Sequence, residues 1–356
     1  MEQKHKPVVI WLFTGVVLVA SMVIIGGITR LTQSGLSMVE WKLIMGSIPP
    51  LNDAQWQETF EKYKQFPEYN VVNYAFTLRE FKSIFWWEYI HRMLGRLTGL
   101  VFIIPFAVFV IQKRVDRKLL MKLLFIFVLG AFQGFLGWFM VKSGLVNDPH
   151  VSHLRLAAHL ITAFAVIGFI LWTIFSIINP SRYPKVDDKL GRIIKSGFAL
   201  LILQIIYGAF VAGLKAGLYY NTWPMMGGVW IPDEVLNSIT REGLSAFLNN
   251  ITLVQFMHRT LAFVVAGFII WMWYLVKNNK TYKKTGSGSF QKLTLFTSTT
   301  ILLVILIIQL LLGITTLLFK VPVILGVLHQ FGALVLFGGF VFIMHHVYHS
   351  GVKTIE

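Results

Sequence analysis

The chain has 356 residues, of which 56% are hydrophobic and only 13% charged, and its mean hydropathy of +0.67 is far too high for an ordinary water-soluble domain. A formal net charge of +16 would suit a nucleic-acid binder, but the basic residues fall in alternate loops, which is the positive-inside signature of a membrane protein. No cysteine is present, so disulfides, thiolate ligands and thiol chemistry are excluded.

A bilayer core about 30 Å thick needs roughly 20 apolar residues per helix. The N-terminal MEQKHKP leads directly into a first span at 8–28, which is too long for a signal h-region and lacks a small-residue cleavage site. With no Arg/Ser-rich transit segment either, a bacterial cytoplasmic membrane is expected. A long loop at 29–83, rich in Trp, Tyr and Pro, is expected to form short interfacial helices, as is the loop at 215–250. Spans follow at 84–112, 119–141, 154–178, 193–214, 251–276, 293–318 and 322–347, none with the strict alternation of a barrel strand. The basic clusters Lys113–Lys122, Arg182–Lys195 and Lys277–Lys292 occupy every second loop. They place both termini in the cytoplasm, with binding to anionic lipid headgroups a secondary role and nucleic acid not a partner. KTGSGS at 284–289 is a flexible linker by composition.

The chain also repeats itself. Residues 26–50, GGITRLTQSGLSMVEWKLIMGSIPP, align without a gap to 208–232, GAFVAGLKAGLYYNTWPMMGGVWIP. EYIHR at 88–92 answers QFMHR at 255–259, QGFLG at 133–137 answers QLLLG at 309–313, and His159 answers His329. The expected fold is all-α and integral to the membrane, with eight spans in two tandem, pseudo-symmetric four-helix bundles, residues 8–178 and 193–347. Four spans per half bring each half in from the same side, so the axis relating them lies along the membrane normal.

Of ten histidines, His5 lies in the N-terminal tail, His150 and His153 lie at an external loop, and His345, His346 and His349 end the last span, where a solvated or headgroup role is expected. His91, His159, His258 and His329 remain, each one to two turns inside the external end of a span. His159 follows His91 by 68 residues and His329 follows His258 by 71. Helices two, four, six and eight run in the same direction, so imidazoles at equal depth can face each other, the arrangement that holds haem iron from both sides. Four residues after each stands a small residue, Gly95, Ala163, Ala262 and Ala333, leaving the same helix face clear for a flat macrocycle. Close helix packing alone also selects small residues, and a metal-ion site or proton relay are the other uses of such histidines.

Arg92 and Arg259 follow their histidines and are matched between the halves, suited equally to haem propionates and to snorkelling toward phosphates. Arg96 and Arg30 face Phe263 and Ala212 in the repeat. Glu88 precedes His91 by three residues on one helix face, and its counterpart is Gln255. A carboxylate at the hydrocarbon boundary is costly if unpaired, which makes Glu88 a proton donor or acceptor beside the iron; an ion pair with Arg92 or Arg96 is the structural alternative and does not exclude that role. Only the N-terminal half is equipped for acid–base chemistry; the other reads as an electron-relay or structural haem site.

From about residue 10 to 347, GGITRLTQSGLSMVEW, EYIHRMLGR, QGFLGWFMVKSGL, HLRLAAHL, YYNTWPMMGG, QFMHR, QLLLGITTL and LHQFGALVLF together resemble the haem A synthase family. The resemblance implies an oxidoreductase that converts haem O to haem A, oxidising a porphyrin methyl group to formyl by successive hydroxylations. It implies haem B held by His258 and His329, haem O as substrate facing His91 and His159, and Glu88 as the essential acid. It also implies an apolar groove for the farnesyl tail, and a haem O synthase or oxidase-assembly protein as partner, while electron donor and oligomeric state stay open. Some members carry a cysteine pair in the first external loop; this chain resembles the cysteine-free branch. A b-type di-haem electron-transfer cytochrome is the alternative, which gives Glu88 no task; a repeat-built transporter is a second, disfavoured because the polar residues cluster near one face.

Overall fold

The structure, a computed structural model, describes residues 5–39, 48–144, 151–178, 185–283 and 294–350. Trp41, Gly46, His150, Arg182 and the 284–289 linker lie outside the described residues. Among those described, twelve α-helices occur: α1 (Lys6–Leu31), α2 (Asp53–Lys64), α3 (Pro67–Val71), α4 (Leu78–Ile111), α5 (Arg117–Gly144), α6 (His153–Ile178), α7 (Asp188–Gly213), α8 (Asp233–Glu242), α9 (Ala246–Asn249), α10 (Ile251–Lys277), α11 (Leu295–Leu318) and α12 (Val323–Tyr348). Eight of them, α1, α4, α5, α6, α7, α10, α11 and α12, are long and apolar enough to cross a membrane. Their outward faces carry apolar side chains such as Ile104, Val128 and Ile307, all exposed, as expected of helices that are hydrophobic all round and meet lipid.

Helix starts follow from capping. Thr77 and Glu80 form a capping box, with Glu80 Oε2 accepting from the Thr77 N–H at 2.8 Å, so α4 begins at Leu78, before the apolar run at 84. Asp187, Asn250 and Thr294 accept from Leu190, Leu253 and Thr297 backbone N–H groups at the starts of α7, α10 and α11. The loop after α1 contains α2 and α3, and the loop after α7 contains α8 and α9, the short helices expected there. α2 docks on the entry to α4 through a small aromatic core in which Trp56, Phe60 and Tyr63 meet Phe81, Ile84 and Phe85.

The spans pack in two closed cycles. α1 meets α4, α4 meets α5, α5 meets α6 and α6 meets α1; likewise α7, α10, α11 and α12 meet in turn, and α12 returns to α7. The cycles join through α6 on α7, α12 on α1 and α6 on α12. If α1 is matched to α7 and α6 to α12, the first two contacts exchange and the third maps onto itself. The backbone follows the same matching: Gln33 and Lys215, equivalent in the alignment, both leave their helices at φ 54°. Side chains also tie the cycles together. Arg30 Nη2 donates to the carbonyls of Ala212 at 3.0 Å and Gly213 at 2.8 Å, Lys215 Nζ donates to Gln33 Oε1 at 3.2 Å, and Gln330 Nε2 donates to Val23 O at 2.9 Å.

One expectation fails. His345 and His346 are buried instead of solvated, because α6 lies against the end of α12 and the Trp172 and Phe175 rings cover His345 edge-on.

Candidate functional site

The four singled-out histidines share one local construction. Each imidazole, carried by α4, α6, α10 or α12, lies against a glycine of a neighbouring span: His91 on Gly26, His159 on Gly137, His258 on Gly208 and His329 on Gly313. A Cβ at those glycines would stand 3.1 Å from His91 Nε2 and 3.2 Å, 3.2 Å and 2.8 Å from the Cε1 atoms of His159, His258 and His329. A methyl group at any of them would push the ring inward, so the missing side chain sets the position of the imidazole. Two glutamines add a second constraint. Gln133 and Gln309 donate to the backbone carbonyls of His159 at 3.0 Å and His329 at 2.9 Å, and the Gln309 amide lies 3.1 Å from His329 Nδ1.

All four rings line a cavity of about 1490 Å³, larger than the roughly 300–1,000 Å³ of an ordinary small-molecule pocket. Gly95, Ala163, Ala262 and Ala333 line it too, as their spacing from the histidines predicts. Half-exposed Ile103, Phe135 and Phe263 sit at its margin, so its wall is open between helices toward the lipid side. The His258 and His329 ring centres are 6.5 Å apart with planes at 88°. Two imidazoles sharing one iron through metal–nitrogen bonds of about 2 Å have ring centres about 6 Å apart, so this pair already has the separation a bis-histidine iron requires. His91 and His159 line the same cavity.

The cavity wall also fits a ligand in its unsatisfied atoms. His159 Nδ1, Gln133 Oε1, Gln309 Oε1 and Arg259 Nη1 are buried without a hydrogen-bond partner, whereas buried polar groups in proteins are nearly always satisfied. Nitrogen donors from four spans, glycine- and alanine-lined walls and a cationic margin suit a haem. Among the described residues no group of three or more His, Asp or Glu side chains is placed to hold a metal ion.

Glu88, Arg92 and Arg259 line the same cavity. Glu88 is buried, but it is not unpaired. Its Oε2 accepts from Ser37 Oγ and from the Met38 N–H, each at 2.7 Å, and its Oε1 pairs with the Arg92 guanidinium. Arg92 in turn donates to Met38 O at 2.8 Å. In the other half Gln255 Nε2 donates to Tyr220 O at 3.1 Å, and Tyr220 is the repeat counterpart of Met38. Arg259 Nη2 reaches the carbonyls of Thr222, Pro224 and Met225 at 2.9, 2.8 and 3.2 Å. Both arginines therefore hold the loop that follows the first helix of their half.

Sequence reasoning brings together the histidines, the acid and the arginines, and misses Ser37, Met38 and Glu68. Glu68, in α3, is buried and lines the cavity near Glu88. A signal for Ser37 exists in the repeat, since Tyr219 replaces it in the half that lacks the acid.

Comparison with known proteins agrees along the whole chain. A family model described as cytochrome oxidase assembly protein matches residues 9–341. Proteins named heme A synthase are 45% identical over 346 residues in Nitrosospira multiformis, covering 96% of this chain and 94% of that one. One from Flavobacterium psychrophilum is 44% identical over 345 residues, covering 96% and 98%, and one from Parvibaculum lavamentivorans is 42% identical over 346, covering 97% and 96%.

Proposed function

Because the chain belongs to the haem A synthase family of cytochrome oxidase assembly proteins, we propose that it oxidises a methyl group of haem O, through successive hydroxylations, to the formyl group of haem A. The observation that carries this is the lodging of four histidines around one cavity with an acid beside only one pair. The half at 8–178 would hold the substrate haem O through His91 and His159. The half at 193–347 would hold a resident haem B through His258 and His329, whose rings are 6.5 Å apart.

The chain's own residues then have distinct tasks. His258 and His329, braced by Gly208, Gly313 and Gln309, fix a ligand plane. Arg259 keeps Nη1 for an acidic group after Nη2 has taken the loop carbonyls, which suits a propionate, and Arg92 closes the loop over the substrate pair. Glu88 is positioned by Ser37, Met38 and Arg92 to exchange protons with the reacting carbon's oxygen substituents. When bound, the haems supply one-electron chemistry. We place the protein in a bacterial cytoplasmic membrane with both termini cytoplasmic, from the alternation of basic loops.

The test is co-expression with a haem O producer and chromatography of pigments extracted from the membranes. Haem A accumulation is the expected result. Haem B alone with haem O unconverted would assign the chain to electron transfer, and a purified protein without haem would reject both readings.

A further inference from the structure

Glu68 and Glu88 are the two carboxyl side chains that are buried among the described residues, and both line the cavity. Their surroundings differ in kind. Glu88 has a guanidinium, a hydroxyl and an amide N–H directed at it. Among the described residues Glu68 has one neutral donor, the Tyr63 hydroxyl at 3.2 Å from Oε2, and that phenol oxygen is itself held by Asn73 Nδ2 at 2.7 Å. Among the described residues the ionisable groups bearing on Glu68 are Tyr63 from α2 and Glu88 from α4, the latter already tied to Arg92. Burial, and secondarily the Glu88 charge, push the Glu68 carboxyl up to about 8, against the smaller downward pull of the Tyr63 hydrogen bond. The loop acids of the other half are unlike it: Glu234 and Glu242 pair with Arg241 on the surface.

A carboxyl kept for structure alone gains nothing from such a place, since a buried anion with one neutral partner and a like charge nearby is costly. A group that must hold and release a proton near neutral pH gains a great deal. Resting on the assignment of the substrate site to the N-terminal half, we propose that Glu68 is a second proton-exchanging carboxyl of that site, giving up and taking back the proton that Glu88 passes during turnover. At rest the proton sits on Glu68 and Glu88 is the carboxylate that pairs with Arg92; in the transfer the O–H bond on Glu68 breaks and an O–H bond forms on Glu88, the reverse transfer returns the proton, and no electrons change hands. Glu88 touches the reaction, and Glu68 acts through it.

The test combines infrared pH-difference spectra of the purified protein with haem A yields. A protonated-carboxyl C=O band should disappear with a midpoint near pH 8 and be absent from Glu68→Gln, which keeps the hydrogen bond from Tyr63. Two further variants move the midpoint in opposite directions. Glu88→Gln removes the neighbouring charge and lowers it, while Tyr63→Phe removes the donor that favours the anion and raises it. In co-expressing cells Glu68→Gln should cut haem A yield by at least about tenfold and flatten its dependence on external pH, with the C-terminal haem retained and Glu68→Asp partly restoring yield. A wild-type band that survives in Glu68→Gln, or a Glu68→Gln yield and pH profile equal to wild type, overturns the proposal. Absence of haem A from the wild type would overturn the function instead, and the infrared titration would still decide the role of Glu68 independently.

Discussion

The two four-helix cycles share a frame and differ in their caps. Glycine against imidazole, glutamine against the histidine carbonyl and arginine against the loop backbone recur in both. Above the His91–His159 lobe, however, the cap supplies Ser37, Glu68 and Glu88, and above the His258–His329 lobe the corresponding contact is an amide on a carbonyl. The placing of the four histidines is therefore a property of the spans, and the burial of two carboxyls a property of the loop and the helix entry it rests on.

That contrast can be broken most sharply at the ligands. His258→Ala should remove the resident haem and abolish haem A, whereas His91→Ala should abolish haem A and leave the resident haem in place; pyridine haemochrome spectra and pigment chromatography of each variant separate the outcomes. Next in size is the acid. Glu88→Gln should reduce haem A yield by about 10²–10⁴-fold, the usual range for a removed proton-transfer group. The double variant Glu88→Gln/Gln255→Glu should stay as inactive, and recovery of yield there would show that the halves are interchangeable.

Stability sharpens the same comparison. Arg92→Ala leaves the Glu88 carboxylate buried without its cation, a loss of about 3–5 kcal/mol, because both side chains are nearly inaccessible. Arg259→Ala removes hydrogen bonds to loop carbonyls without stranding a charge, a loss of about 1–3 kcal/mol. Denaturation of the detergent-solubilised variants, followed by loss of helical signal, should rank them in that order. The smallest effects belong to the glycines. Gly313→Ala, whose Cβ would come within 2.8 Å of His329, should weaken the C-terminal site by about 1–3 kcal/mol through overpacking. Gly208→Ala, at 3.2 Å from His258, should do less; haem dissociation followed by absorbance is the measurement.

Much of this is legible in the sequence because its physics is local or periodic. Span length, the basic loops, the i+4 small residues and the Glu88-for-Gln255 exchange all follow from spacing along one helix or from aligning one half on the other. What escapes depends on how loops fold back. Nothing in QFPEYN at 65–70 announces that Glu68 is carried to the cavity by an α2–α3 cap whose aromatic core docks on α4. Arg92 and Arg259 are matched by the repeat, but their carbonyl partners lie 54 and 34–37 residues away in irregular chain. The burial of His345 and His346 is invisible to local spacing because the covering Trp172 belongs to a helix of the other half.

The cycles meet through exchangeable contacts, α6 on α7 against α12 on α1, with α6 on α12 across the middle. Two identical four-helix chains could assemble in that way, as an isologous dimer. Such a dimer would be bound to symmetry: any acid placed beside one histidine pair would stand beside the other, and the two sites could not be told apart. Covalent continuity between α6 and α7 lifts that restriction, allowing one site to be tuned by mutation while its twin is left alone.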